Sequence, residues 1–81
     1  MSATVRVLYF AGLREAAGVD MESVRTDAAD LAALYAEAAA RHPLGWPRER
    51  LRVAVDGAFA RWADPVRDGS EIAFIPPVSG G

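Results

Sequence analysis

The residues best suited to chemistry lie at the end of the sequence, in the segment PPVSGG (residues 76–81). Two prolines cannot extend a paired strand and favour an extended polyproline geometry, so we expect a flexible tail held away from the folded body. At about 3.3 Å per residue the tail reaches roughly 20 Å, far enough to enter a deep site on another protein. The expected threading segment comprises Pro76, Pro77, Val78, Ser79 and Gly80.

Gly81 presents a carboxylate with the least hindered carbonyl that a peptide can offer, because neither Gly80 nor Gly81 has a Cβ atom. A carboxylate is a poor electrophile, and its activation joins it to a phosphate as an acyl adenylate. If the next nucleophile is sulfur, the product is a thiocarboxylate. The sulfur must then come from a partner, because the chain contains no cysteine. The alternative is that the two glycines are an ordinary frayed terminus.

The sequence contains no other recognisable catalytic or metal-binding motif. His42 is the only histidine, which excludes a multi-histidine metal site, and AGLREAAG lacks the spacing of a phosphate-binding loop. No serine has a plausible base nearby in a recognisable motif. Four aspartates are explained by helix caps and turns: Asp27, Asp30, Asp64 and Asp68. We therefore expect that the chain is not an enzyme by itself.

Length and composition predict one small globular domain spanning residues 1–81. The apolar fraction of 52% excludes disorder, and 81 residues are close to the lower limit for a core without disulfides. The net charge of −2, with both signs scattered, does not predict nucleic-acid binding. No stretch is long and apolar enough to span a membrane, so a soluble cytoplasmic protein without membrane partners is expected.

Alternating apolar residues predict five strands. They cover residues 4–10, 20–26, 51–55, 58–62 and 71–75. Gly18 is expected to end a short helical segment after the first strand, and Asp56–Gly57 is the preferred pair for a tight hairpin. Trp46 and Trp62 are expected to pack in the core or in loops.

Residues 26–43 carry the strongest helix signal. Thr26 or Asp27 is expected to cap the helix, and Pro43 prevents its continuation. One apolar stripe follows from the helical spacing of Leu31, Leu34, Tyr35 and Ala38. A right-handed crossover over this helix places the first and last strands side by side. The prediction is an α+β fold in which the second sheet face carries the apolar residues Phe10, Phe59 and Ile75.

Two motifs, VRVLYFAGLREAAG at the start and DGSEIAFIPPVSGG at the end, resemble the small subunit of molybdopterin synthase, the MoaD family. The resemblance covers essentially all 81 residues, and the C-terminal motif is highly specific, whereas the central helix matches in pattern only. The family implies a ubiquitin-like β-grasp fold, with a mixed four- to five-stranded sheet packed on one main helix. One departure is Asp56–Gly57, where many relatives have an asparagine after the valine.

The resemblance implies a sulfur carrier. An E1-like enzyme would adenylate Gly81 with ATP and magnesium, and a sulfurtransferase would supply sulfur to form the thiocarboxylate. The loaded tail would enter the large subunit of molybdopterin synthase and donate sulfur to cyclic pyranopterin monophosphate, forming the dithiolene. This chain itself would bind no cofactor and no metal. The residues that match the family's partner-binding positions are Phe10, Phe59, Ile75 and Arg14.

Two other functions stay open on the sequence. A related carrier could feed thiamine, cysteine or tRNA thiolation with the same tail chemistry. A protein modifier or a plain β-grasp interaction module would use the surface of the fold instead. The pairing of LREAAG with PPVSGG favours the molybdopterin pathway.

Overall fold

The computed structural model describes residues 2–77, so Val78, Ser79, Gly80 and Gly81 of the expected tail lie outside the described residues. The elements in chain order are β1 (Ala3–Tyr9), α1 (Gly12–Ala17), β2 (Met21–Thr26), α2 (Leu31–Arg41), a 3₁₀ turn (Arg48–Arg50), β3 (Arg52–Val55), β4 (Ala58–Ala60) and β5 (Glu71–Ile75). All five predicted strands and the main helix are present, with shifts at several ends.

The strands form one mixed sheet in the order β2–β1–β5–β3–β4. β1 and β5 pair in parallel, which confirms that the first and last strands lie side by side. The other three pairings are antiparallel. This arrangement confirms the predicted α+β fold, with α2 over one face of the sheet.

The core lies between α2 and the inner face of the sheet. Alternation along β1 and β5 places Val5, Val7, Tyr9, Ile72 and Phe74 on this face, each at most 1% exposed. The helix contributes the predicted stripe, and all four of its members are buried: Leu31, Leu34, Tyr35 and Ala38.

Aromatic rings at one end close the core. The Tyr35 ring meets the Phe74 ring edge to face at 5.0 Å, and Trp62 stacks on Phe74 at 5.9 Å. Trp46 and Trp62 are partly buried against the core, which confirms their predicted packing role.

The prediction for the start of α2 was wrong. The cap is Asp30, whose Oδ1 accepts a hydrogen bond from the Ala33 N–H at 2.8 Å. Thr26 instead completes the β2 ladder opposite Ala3, and its hydroxyl accepts from the Ala28 N–H at 2.9 Å. Thr26 is therefore held by the sheet, and the helix begins only after four further residues.

Turn chemistry sets the strand ends. Asp56 and Gly57 both have positive φ, 50° and 87°, as a mirror-image hairpin turn requires, so the predicted hairpin is confirmed. β4 ends at Ala60, before the predicted Trp62, because the Arg61 N–H donates to Asp64 Oδ2 and turns the chain. Gly18 ends α1 with φ 79°, as expected.

Candidate functional site

The outer face of the sheet, opposite α2, carries a continuous row of apolar side chains. Strand register aligns one residue from each of the five strands in this apolar row: Met21, Leu8, Ala73, Ala54 and Phe59. The two alanines in the middle are too small to fill the space between Leu8 and Phe59. A depression of about 240 Å³ results, and its lining is mostly apolar side chains.

The three apolar residues singled out in the sequence border this depression. Phe10 is 42% exposed, Phe59 is 69% exposed, and Ile75 is half-buried between them. Phe10 follows the last residue of β1 and Ile75 is the last residue of β5, so both lie where the tail leaves the sheet. The structure thus brings Phe10, Phe59 and Ile75 together on one concave surface, and their contact with a partner stays a prediction.

Sequence reasoning missed the small residues of this surface. Ala54 and Ala73 each point outward, and the alternation of residues along each separate strand is sufficient to predict this. That these alanines lie side by side, with Leu8 on one flank and Phe59 on the other, depends on register between strands distant in sequence. The pairing register between strands that are distant in sequence cannot be predicted from the residue pattern of either strand alone.

Arg14 lies at the other flank of the apolar row. Its side chain is exposed on α1 and lines a second concavity with Phe10, Leu8, Asp20 and Met21. Within residues 2–77 the Arg14 guanidinium has neither an ion pair nor a hydrogen bond. The structure therefore places Arg14 beside the apolar surface with its charge available, and its role stays a prediction.

Two prolines link the last strand to the tail. Pro76, the first residue of the expected tail, is buried, and Pro77 is exposed. Gly80 and Gly81, to which the chemistry was assigned, lie outside the described residues.

A polar cluster behind the apolar surface ties β1 and β2 to the end of α2. Glu22 Oε2 accepts hydrogen bonds from the Tyr9 hydroxyl at 2.5 Å and from Arg41 at 3.3 Å, and it lies 3.0 Å from His42 Nε2. Burial alone would raise the pKa of Glu22, but the hydrogen bonds from Tyr9, His42 and Arg41 outweigh it and lower that pKa. Burial, followed by the bond to Glu22, raises the pKa of Tyr9.

This cluster predicts how stability depends on pH. A lowered Glu22 pKa means that its stabilising contribution is present above the ordinary value of 4.5 and disappears as pH falls through the lower folded-state pKa. Because the pKa of Tyr9 is raised in the folded chain, its protonated hydroxyl contributes stability that is fully present below pH 10.0. This contribution is lost as the pH rises above 10.0 towards the folded-state pKa. Urea unfolding from pH 2 to 11 should show both losses. Glu22→Gln should lower the free energy of unfolding at pH 7 by about 1–2 kcal/mol. It should also reduce the fall in that free energy at low pH, which we call the acid limb of the pH profile.

Glu15→Gln is the matched control, because Glu15 is exposed on α1. It should leave both limbs unchanged. An acid limb in Glu22→Gln identical to that of the unmodified chain would contradict the assignment.

Among residues 2–77, no group of three or more histidine, cysteine, aspartate or glutamate side chains is placed to hold a metal ion. In the same range, none of the helices has the length and apolar character needed to cross a membrane.

Three features define a ubiquitin-like β-grasp domain. They are the order of the strands in the sheet, the parallel pairing of the first strand with the last, and the main helix α2 over one face. A solved structure of SAMP1, the small archaeal modifier protein 1 of Haloferax volcanii, has this fold with a TM-score of 0.77 and 27% identity, covering 98% of this chain and all of that one.

The chain belongs to the ThiS family, which matches residues 7–81. It is 38% identical to the molybdopterin synthase sulfur carrier subunit of Escherichia coli over 80 residues, which cover 95% of this chain and 99% of that protein. A chain in the complex of subunits 1 and 2 of molybdopterin-converting factor from Helicobacter pylori matches at 26% identity and a TM-score of 0.58, covering 96% and 99%. These findings confirm the resemblance to the small subunit of molybdopterin synthase.

Proposed function

We propose that this chain is the sulfur carrier subunit of a molybdopterin synthase, supplying sulfur while a larger subunit supplies the reaction site. The observation that carries the proposal is the 38% identity to the Escherichia coli sulfur carrier subunit over nearly the full length of both proteins. The family match extends through Gly81, so it includes the residues assigned to the chemistry. An apolar surface at the root of the tail supports the proposal independently.

The chemistry proceeds at the carboxylate of Gly81. A carboxylate oxygen attacks the α-phosphorus of ATP on an E1-like enzyme, which uses magnesium, and pyrophosphate leaves. The terminal sulfur of a persulfide on a sulfurtransferase then attacks the glycyl carbonyl and AMP leaves, which gives an acyl disulfide. A thiol cleaves this acyl disulfide and forms a new disulfide with the sulfurtransferase sulfur, so that the thiocarboxylate remains. The large subunit transfers that sulfur to cyclic pyranopterin monophosphate, and two such transfers build one dithiolene. In this proposal the chain contributes a slim, extended carrier and binds no cofactor of its own.

The apolar row supports a docking role for the outer face. Phe59 at 69% exposure and Met21 at 47% are large side chains that folding leaves in water, on the same face as Phe10 and Ile75. Adjacent exposed apolar residues of this kind mark sites where another protein binds. We propose that the large subunit and the activating enzyme both use this face, because both must receive the tail that starts beside it.

Complementation tests the function. An Escherichia coli strain lacking its own molybdopterin synthase sulfur carrier subunit, and expressing this chain with the large subunit from the same organism, should regain molybdenum cofactor. Intact mass of the purified chain should show replacement of one oxygen by sulfur at the C-terminus. Cofactor that stays absent while the thiocarboxylate forms would assign the chain to another thiolation pathway.

A second candidate is a protein modifier, and the similarity to SAMP1 favours it. Such a modifier would form an isopeptide bond between Gly81 and a lysine of another protein. Conjugates that resist denaturation and depend on Gly81 would support this function. The sulfur-carrier proposal expects free thiocarboxylate as the main product.

A further inference from the structure

Two arginines near the root of the tail are held over aromatic rings. The Arg52 guanidinium carbon lies 5.3 Å from the centre of the Phe59 ring, and that of Arg50 lies 5.6 Å from the Trp46 ring. Both distances are within the range of cation–π attraction. Stacking on a ring orients a guanidinium while leaving its N–H edge open to an acceptor. We call Arg50 and Arg52 the tail-root arginine pair.

Strand register places Arg52 beside the end of β5, the strand that precedes the expected tail. Arg52 is the Cα partner of Ile75, the residue immediately before Pro76. Arg50 ends the 3₁₀ turn that leads into β3, two residues before Arg52. Trp46 packs beside the start of α1, since a Cβ on Gly12 would lie 3.5 Å from its Nε1. Arg52 therefore borders the apolar surface at Phe59 and Ile75, and Arg50 lies with Trp46 near the start of α1.

The charge of the pair is not neutralised within the described part of the chain. Across residues 2–77, Arg50 and Arg52 form neither a side-chain hydrogen bond nor an ion pair, and the one ion pair of this segment joins Arg48 to Glu49 at 4.0 Å. Residues 48–52 contain three arginines and one glutamate, a local excess of positive charge in a chain of net charge −2. Positive charge is thus concentrated where a partner that receives the tail must come closest.

We propose that the tail-root arginine pair binds carboxylates that flank the entrance of the tail-binding cleft on the large subunit. Acidic side chains are the protein groups that complement two oriented guanidinium forks. In this arrangement the apolar row supplies buried area, and the arginine pair accelerates encounter and orients the tail toward the entrance. The inference rests on the proposed function, because it takes the large subunit as the partner.

A matched pair of charge-reversal variants tests the inference. Arg50→Glu/Arg52→Glu changes the charge at the tail root, and Arg25→Glu/Arg67→Glu makes the same net change at the far end. Arg25 pairs with Thr4, about 20 Å along the strands from Ile75, and the loop containing Arg67 bonds to Thr4 through Asp68 and Gly69. All four arginines are exposed, so folding should tolerate both double variants.

The measurement is the association rate constant with the purified large subunit from the same organism, at several salt concentrations. The tail-root variant should associate at least about tenfold more slowly at low salt and lose most of its salt dependence, while the far-end variant should change less than about twofold. Arg50→Lys/Arg52→Lys, which keeps the charge, should retain most of the rate.

Equal rates for the two charge-reversal variants would overturn the inference. Tighter binding by the tail-root variant would overturn it too, because it would indicate that the chain's own tail carboxylate occupies the arginines. The proposed function fails separately, if cofactor and thiocarboxylate are both absent in the complementation and intact-mass tests described above. If Phe59→Asp also leaves binding intact, the outer face is not the docking surface. If Phe59→Asp blocks binding and the arginine variants do not, only the arginine inference fails.

Discussion

A single alanine added after Gly81 is expected to abolish sulfur loading while leaving the fold unchanged. The proposed reaction uses the carboxylate of Gly81, and the added residue moves the carboxylate about 3.3 Å further along the channel. It also places a methyl group next to the reacting carbonyl. Misplacement by even 1 Å can reduce a rate about 10²-fold, so we expect at least that loss. Intact mass after incubation with the activating enzyme, ATP and a sulfur source measures the thiocarboxylate formed.

The controls separate chemistry from folding. An alanine added at the N-terminus should load at the normal rate, because β1 begins at Ala3 and the N-terminus takes no part in the reaction. Gly81→Ala keeps the carboxylate in register and should slow loading less than the extension does. All three variants should melt at the temperature of the unmodified chain. Full loading of the extended chain would show that Gly81 is not the acceptor.

Local patterns in the sequence were sufficient to predict β1 and β5, because each of these strands has one strongly apolar face. Val5, Val7 and Tyr9 alternate with polar or outward residues, and the register of β1 with β5 then follows from burying Ile72 and Phe74 against the same helix. The start of α2 was misassigned to Thr26 or Asp27 because Thr26, Asp27 and Asp30 are all good capping residues. What decides between them is that β2 retains Thr26 in its ladder, a tertiary constraint.

The candidate site was predictable only in part, for a related reason. Large outward residues such as Phe10 and Phe59 are visible in the strand pattern as apolar side chains where water would favour polar ones. Ala54 and Ala73 carry no such signal, because an alanine is unremarkable until its neighbours across the sheet are known. The stacking of Arg52 on Phe59 likewise joins residues on two strands and depends on how those strands pair.

The Glu22 cluster illustrates the same limit inside the molecule. Its members come from β1, β2 and the end of α2: Tyr9, Glu22, Arg41 and His42. Glu22 takes an inward position on the edge strand β2, where its carboxylate lies within hydrogen-bond distance of all three. Polar clusters of this kind depend on how the helix end crosses the sheet.

Phe59→Asp is expected to weaken binding to the large subunit by at least about thirtyfold. Burial of a phenylalanine against a partner contributes roughly 1.5–3 kcal/mol, and an unpaired carboxylate in that contact is unfavourable in addition. Arg52, already over the ring, would lie near the new carboxylate, so Phe59→Ser serves as a neutral second variant that removes the ring alone. Calorimetric titration of each variant with the large subunit measures the affinity.

The matched control is Ala36→Asp, which adds the same charge at an exposed residue of α2, on the opposite side of the sheet from the apolar row. This substitution should leave affinity within about twofold. Because Phe59 is largely in water in the folded chain, its substitution should change the free energy of unfolding by no more than about 0.5 kcal/mol. Reduced binding by Phe59→Asp at unchanged stability would therefore come from a lost contact. Equal affinities for Phe59→Asp and Ala36→Asp would remove the apolar row from the docking surface.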